Sequence, residues 1–229
     1  PDNPIAIKTI VTTDIVRKIG ENYGVEIIDV LTGFKFIGEQ IGFLEEKGEE
    51  NRYVFGFEES YGYLAGTYVR DKDAVVASML ICEMAAFYRT KGISLIQARE
   101  NMYKKYGVYN HSLSSFTCEG ASGMQKMNEL MTMLRNDSPK EIGGLKVIAF
   151  ADYKASVKSD LVTGEKAVII LPKSDVLVFT LENSASVVIR PSGTEPKIKA
   201  YYTTTGETLE KAKALEKKLT ADFKMILGF

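Results

Sequence analysis

The sequence predicts two units: an α/β unit over residues 1–106 and a smaller α+β unit over residues 107–229 with a mainly antiparallel sheet. Three observations predict this. The first half alternates short β-like runs with helical patterns, the signature of strands linked by helices. The second half sets strands one after another between flanking helices, which indicates helices covering one face of a sheet. The rhythm changes at Tyr106-Gly107. At 229 residues the chain is long enough for two domains of ordinary size. Its 45% hydrophobic and 26% charged content describe a soluble chain with a sizeable core.

In the first half, Ile5–Val11 reads as a strand, and Thr12-Thr13-Asp14 supplies N-cap chemistry for a helix ending near Tyr23-Gly24. Val25–Val30 is the next strand, followed by Thr32-Gly33 and a helix to about Lys47. Tyr53–Phe57 is a third strand that delivers Glu58-Glu59-Ser60 at its carboxyl end, where ligands collect in open α/β sheets. The stretch from Asp73 to Lys91 is rich in Ala, Val, Met and Leu, so it predicts a long, well-buried helix. Ser94 and Gln97 have capping-box spacing for another helix to Tyr106.

The second half opens with a β-like run from Val108 to Thr117 and a helix that Ser122 and Gln125 are placed to cap. Met124, Met127, Leu130, Met131 and Leu134 give that helix an apolar face, which reads as core packing. Strands are expected at 145–151, 168–171, 176–181, 186–189 and 198–203. Gly206-Glu207-Thr208 then opens a terminal helix with Leu209, Ala212, Leu215, Leu219, Phe223 and Ile226 on one side.

Several function classes are disfavoured. A net charge of −1 argues against a general nucleic-acid binder, so any anion affinity must come from local groups. No run approaches the roughly 20 apolar residues that span a bilayer, so no membrane association is expected. Cys82 and Cys118 show no metal or disulfide spacing and suggest a reducing compartment, by default the cytoplasm. His111 has no neighbouring ligand pattern and reads as a surface histidine.

Two loops carry candidate chemistry. Arg190-Pro191-Ser192-Gly193-Thr194-Glu195-Pro196-Lys197 sets a guanidinium fork, two hydroxyls, a glycine and a lysine between two strands. That inventory suits a phosphate dianion: Arg binds two oxygens in one plane, and hydroxyls, amides and Lys complete the cradle. Its prolines restrict the backbone and reduce the entropy lost on closing. A solvated hairpin of ordinary turn formers is the competing explanation. In Gly56-Phe57-Glu58-Glu59-Ser60-Tyr61-Gly62-Tyr63, a carboxylate and a serine have the donors and acceptors to meet sugar hydroxyls. A surface acid and a turn serine would look the same.

Arg190–Lys197 resembles the C-terminal phosphate-binding loop of the α-D-phosphohexomutases, the phosphoglucomutase and phosphomannomutase superfamily. Gly56–Tyr63 resembles that family's sugar-binding loop with one residue added after the first glycine. Leu31-Thr32-Gly33-Phe34-Lys35-Phe36-Ile37-Gly38 is similar to the Thr-Gly segment upstream, and Arg70-Asp71-Lys72-Asp73 to the segment that follows the sugar loop. The resemblance implies substrate binding by Glu58, Ser60, Arg190, Ser192, Gly193, Thr194 and Lys197. Lys72 becomes a candidate electrostatic contact, with a solvated helix start as the alternative. Glu59 and Lys35 are weaker candidates. It also implies domain III over 1–106 and domain IV over 107–229.

The family's phosphoserine loop and Asp-rich metal loop have no counterpart in the sequence, so no catalytic nucleophile or metal ligand is expected here. The resemblance then implies the C-terminal half of a longer mutase, cut within or near its third domain and inactive by itself. Mg²⁺ and a hexose 1,6-bisphosphate activator would serve the parent enzyme, and its partners would be a sugar phosphate and the N-terminal domains. A phosphopentomutase, or a non-catalytic sugar-phosphate-binding module, remain alternatives.

Overall fold

A computed structural model describes every residue of the chain except Ala121 and Thr194. It contains two compact units, Pro1–Gly107 and Val108–Phe229. The first is α/β and the second is built on an antiparallel sheet, but the second unit is the longer of the two.

The first unit runs β1 (Ile5–Thr9), α1 (Ile15–Tyr23), β2 (Glu26–Val30), α2 (Phe34–Glu46), β3 (Tyr53–Glu58), β4 (Gly62–Leu64), α3 (Ala74–Thr90) and α4 (Leu95–Tyr106). Its sheet has the order β2-β1-β3-β4. The first three strands are parallel, and β4 folds back antiparallel on β3 with Glu58 opposite Gly62. Every residue of the central strand β1 is buried. Strand alternation sends Ile5 and Ile7 to one face, where Phe34, Ile37, Ile41 and Leu44 of α2 meet them at helical spacing. The Ser94–Gln97 capping box forms, with bonds of 3.2 and 2.8 Å.

Helix α3 corrects an expectation. It forms over Ala74–Thr90, yet none of its residues is buried, and Val75, Met79, Ile81, Met84 and Phe87 are all exposed. Apolar composition measures how much hydrophobic surface a helix carries, not whether a neighbour covers it. Here the apolar residues surround the helix, and β4 and α4 touch only part of it. The N-cap expected from Thr12–Asp14 is also altered. Asp14 holds the cap position without a side-chain cap bond, and its carboxylate instead meets Lys8 and Arg17.

The second unit runs β5 (Val108–Thr117), α5 (Gly123–Asn136), β6 (Glu141–Ile142), β7 (Leu145–Asp152), β8 (Val157–Asp160), β9 (Lys166–Val168), β10 (Leu177–Leu181), β11 (Ser186–Pro191), β12 (Lys197–Gly206) and α6 (Leu209–Ile226). The sheet order is β5-β12-β11-β10-β7-β8-β9, antiparallel throughout, with β6 paired to β7. Val187, Ile189, Ile198, Ala200 and Tyr202 point to one face and form a core with Met127, Met131 and Leu134 of α5 and Leu219 and Phe223 of α6. Burial pushes the Tyr202 hydroxyl up to about 12.

Three local expectations fail in this unit. The strand expected at 168–171 lies instead at Lys166–Val168, and Ile170 is 97% exposed: an apolar run became a solvent-exposed edge because no helix covers it. Strands β6 and β8 are too short and polar to signal themselves. Met124 is exposed, and Ser122 and Gln125 form no cap; the Gln125 amide bonds Glu129 at 2.8 Å.

Candidate functional sites in the two units

The first candidate site is the β3–β4 hairpin. Glu58 ends β3 at only 8% exposure, while Glu59, Ser60 and Tyr61 form the exposed turn. Gly62 is required for steric reasons, because a Cβ there would lie 2.7 Å from both Cγ and Oε1 of Glu58. The Glu58 carboxylate therefore lies flat over the returning strand. Lys72 Nζ approaches its Oε1 at 3.7 Å, bonds Asp71 Oδ1 at 3.2 Å, and stands 5.5 Å from the centre of the Phe34 ring. Lys72 is thus brought to Glu58. Hydrogen bonds from the backbone and side chain of Lys72 hold the Asp71 carboxyl below its ordinary range.

Glu59 is held differently. Thr9, fully buried at the end of β1, donates to Glu59 Oε2 at 3.2 Å and shares a 2.7 Å bond with Thr12 Oγ1. Beneath them lies Lys8, which sequence reasoning missed. Its buried ammonium meets Thr12 O, Asp14 Oδ1 and Asp29 Oδ1, each at 3.0 Å. A buried lysine is tolerated only with such partners. The signal for it was faint: one charge in an otherwise apolar strand. Lys35 is exposed on the first turn of α2 with its ammonium 4.9 Å from the Phe36 ring. Among the described residues no polar contact joins it to Glu58 or Ser60.

The second candidate site is the loop between β11 and β12. Ser192 N–H donates to Lys197 O at 2.7 Å, closing the loop at its neck, and Cys118 N–H bonds Pro196 O at 2.8 Å. Arg190 stands at the start of the loop. Its Nη2 donates to Tyr201 Oη at 3.0 Å, and its Nε is buried without a hydrogen-bond partner among the described residues. Lys197 pairs with Glu195 at 3.1 Å, a half-exposed contact that an anion can displace. Gly193 is exposed, with open space where a Cβ would stand. Thr194 lies outside the described residues. Arg190, Ser192, Gly193 and Lys197 therefore share one loop, as do Glu58 and Ser60 in the other unit.

The Mg²⁺ implied by the resemblance does not fit here. Among the described residues no group of three or more His, Cys, Asp or Glu side chains is arranged to hold a metal. His111 is exposed beside Thr203, and Cys82 and Cys118 are free thiols. No helix of the described residues is long and apolar enough to cross a membrane.

A family model described as phosphoglucomutase/phosphomannomutase, alpha/beta/alpha domain III, matches residues 1–106. The chain belongs to the phosphoglucomutase and phosphomannomutase superfamily. A phosphoglucomutase of Staphylococcus epidermidis is 39% identical over 199 residues, covering 87% of this chain and 36% of the relative. One from Staphylococcus aureus is 40% identical over 197 residues, covering 86% and 35%. Among solved structures, the open form of Paramecium pp63/parafusin, a phosphoglucomutase, superposes with a TM-score of 0.64 at 19% identity. That match covers 97% of this chain and 37% of parafusin. A phosphoglucomutase/phosphomannomutase family protein of Burkholderia thailandensis gives 0.56 at 13% identity, covering 98% and 38%. At these identities the two structures support the fold alone. The chain spans little more than a third of the length of these relatives.

Proposed function

We propose that this chain supplies the sugar- and phosphate-binding parts of a phosphohexomutase that moves a phosphoryl group between C1 and C6 of a hexose through a bisphosphorylated intermediate. Within that reaction the hairpin recognises ring hydroxyls: Glu58 accepts from adjacent hydroxyls and Ser60 donates or accepts with another. Arg190, Ser192, Gly193, Thr194 and Lys197 hold the non-reacting phosphate. Binding energy at a phosphate remote from the reacting atoms then helps to position the sugar. Lys72 adds positive charge beside Glu58. The chain alone contributes binding and orientation and no turnover, because it carries no phosphoserine loop and no metal cluster among its described residues. The cytoplasm suits such an enzyme.

The observation that carries this proposal is Arg190: a guanidinium at the mouth of the motif loop, held by Tyr201, with no carboxylate partner among the described residues. NMR titration of the 229-residue chain with inorganic phosphate tests it. Millimolar binding, about −4 kcal/mol, is expected, with amide shifts centred on residues 192–194. Arg190→Ala should abolish them and Arg190→Lys should partly restore them, since a point charge cannot match a planar fork. Shifts centred elsewhere, or unchanged in Arg190→Ala, would overturn the assignment.

A further inference from the structure

Helix α3 carries more apolar surface than its own unit covers. None of its residues is buried, although β4 and α4 pack against one side, where Val76, Ala77, Leu80 and Tyr88 are half-covered. On the opposite side Val75, Met79, Cys82 and Ala86 recur at intervals of four, three and four, the spacing that lines residues along one edge of a helix. All four are exposed, Val75 to 80% and Met79 to 51%. With Ile81 and Phe87 on the flanks, the helix shows water on the order of 500 Å² of apolar surface, as much as the largest patch on a typical monomer. Patches of that size usually meet a partner.

The character of the row selects the partner. Only Glu83 and Arg89 are charged among the 17 residues of α3, so the face offers little to an acidic or basic peptide. It does fit itself. Laid antiparallel on a second copy and centred between Leu80 and Ile81, the row sets Val75 against Ala86 of the second copy and Met79 against its Cys82. Each level then pairs a large side chain with a small one, the arrangement that lets two faces interdigitate. A twofold axis makes every such contact twice, which is the self-complementarity a closed dimer requires. The net charge of −1 leaves little repulsion between copies.

We propose that α3 is the interface of a homodimer, in which two copies of this chain pack their Val75–Ala86 rows antiparallel across a twofold axis. The interface lies wholly in the first unit and does not depend on the substrate assignments above. The area is below the roughly 800 Å² per partner of a standard interface, so the dimer dissociates in the micromolar range. Cys82 lies next to the axis, and the antiparallel crossing brings the two Cys82 residues of a dimer to within about 10 Å of each other. Cys118 is buried in the core of the second unit, so Cys82 is the thiol that reports the contact.

Sedimentation equilibrium of the 229-residue chain tests this. With rising concentration the mass should climb from the 25.4 kDa of one chain and level at twice that value. Met79→Glu should weaken association about tenfold or more by burying an unpaired charge, and Met79→Leu should stay within about twofold of the parent. Ile170→Glu, which alters an apolar residue 97% exposed in the other unit, should leave association unchanged. A short bis-maleimide should link two chains, and Cys82→Ser should abolish the link while the mass still doubles. A chain that stays monomeric overturns the dimer and leaves α3 to another occupant, such as a segment of a longer mutase. Open-ended assembly, or equal losses in Met79→Glu and Ile170→Glu, overturns it as unspecific apolar association. Circular dichroism checks that the variants are folded. Should Met79→Glu unfold, the cross-link decides alone: no Cys82-dependent covalent dimer from the folded parent overturns the proposal.

Discussion

The two candidate loops solve opposite problems. In the hairpin of the first unit both carboxylates already have partners. Glu58 has Lys72 within 3.7 Å, and Glu59 has Thr9 at 3.2 Å. In the loop of the second unit, Arg190 has no carboxylate partner among the described residues. The hairpin carboxylates are thus held without a ligand. The phosphate loop keeps part of its electrostatics unsatisfied. Under the proposed function the difference suits the ligands: neutral hydroxyls select by the geometry of hydrogen bonds, whereas a dianion must be matched in charge. Sugar discrimination should therefore be sensitive to sterics and anchoring, and phosphate affinity to charge.

The sharpest break in that comparison is steric. Gly62→Ala puts a methyl group 2.7 Å from Glu58 Oε1, against a carboxylate that is almost fully buried. Overpacking of this kind costs about 2 kcal/mol. Urea unfolding of the chain should show the first unit destabilised, with faster amide exchange between residues 56 and 64. Unchanged exchange there would mean that the hairpin is soft and that Glu58 is not fixed in advance.

Glu58→Ala comes next. In an active mutase built around this chain, loss of its hydrogen bonds to sugar hydroxyls should lower kcat/KM by on the order of 1 kcal/mol or more, with the fold intact. Ser60→Ala should cost less, since Ser60 is exposed and water can replace it. Kinetics with hexose and pentose phosphates check both; wild-type values with every sugar would make these ordinary turn residues.

The anchor beneath the hairpin gives a smaller effect. Thr9→Val keeps the shape but deletes the hydroxyl that bonds both Glu59 and Thr12. A loss of about 1 kcal/mol in stability is expected, and Thr9→Ser should recover most of it. A Val variant as stable as the Ser variant would show that Glu59 is held by solvent alone.

Much of this was legible in the sequence, for reasons that differ by element. Helix α2 announced itself because Phe34, Ile37, Ile41 and Leu44 share one face, and periodicity reports burial directly. Helix α3 was legible as a helix but not as an exposed one, since apolar composition without a stripe does not show what covers it. The motif loops were legible because the order of their residues is specific. Lys8 and Tyr201 were not. Each matters through a partner distant in sequence.

The finest contrast lies between two glycines. Gly62 has no room for a side chain, whereas a Cβ on Gly193 would meet nothing within 4 Å among the described residues. Gly193→Ala should therefore leave stability within about 0.5 kcal/mol of the parent chain. If a phosphate oxygen comes against the exposed residue 193, the new methyl group stands in the space the anion needs, and affinity should fall severalfold with Arg190 and Lys197 untouched. Thermal unfolding and phosphate titration of the one variant separate the two effects. An unchanged midpoint with weakened binding would mark a glycine kept for the ligand rather than for the fold. Unchanged binding would place the phosphate on side chains such as those of Arg190 and Lys197 alone, with the loop backbone serving only to turn the chain between β11 and β12.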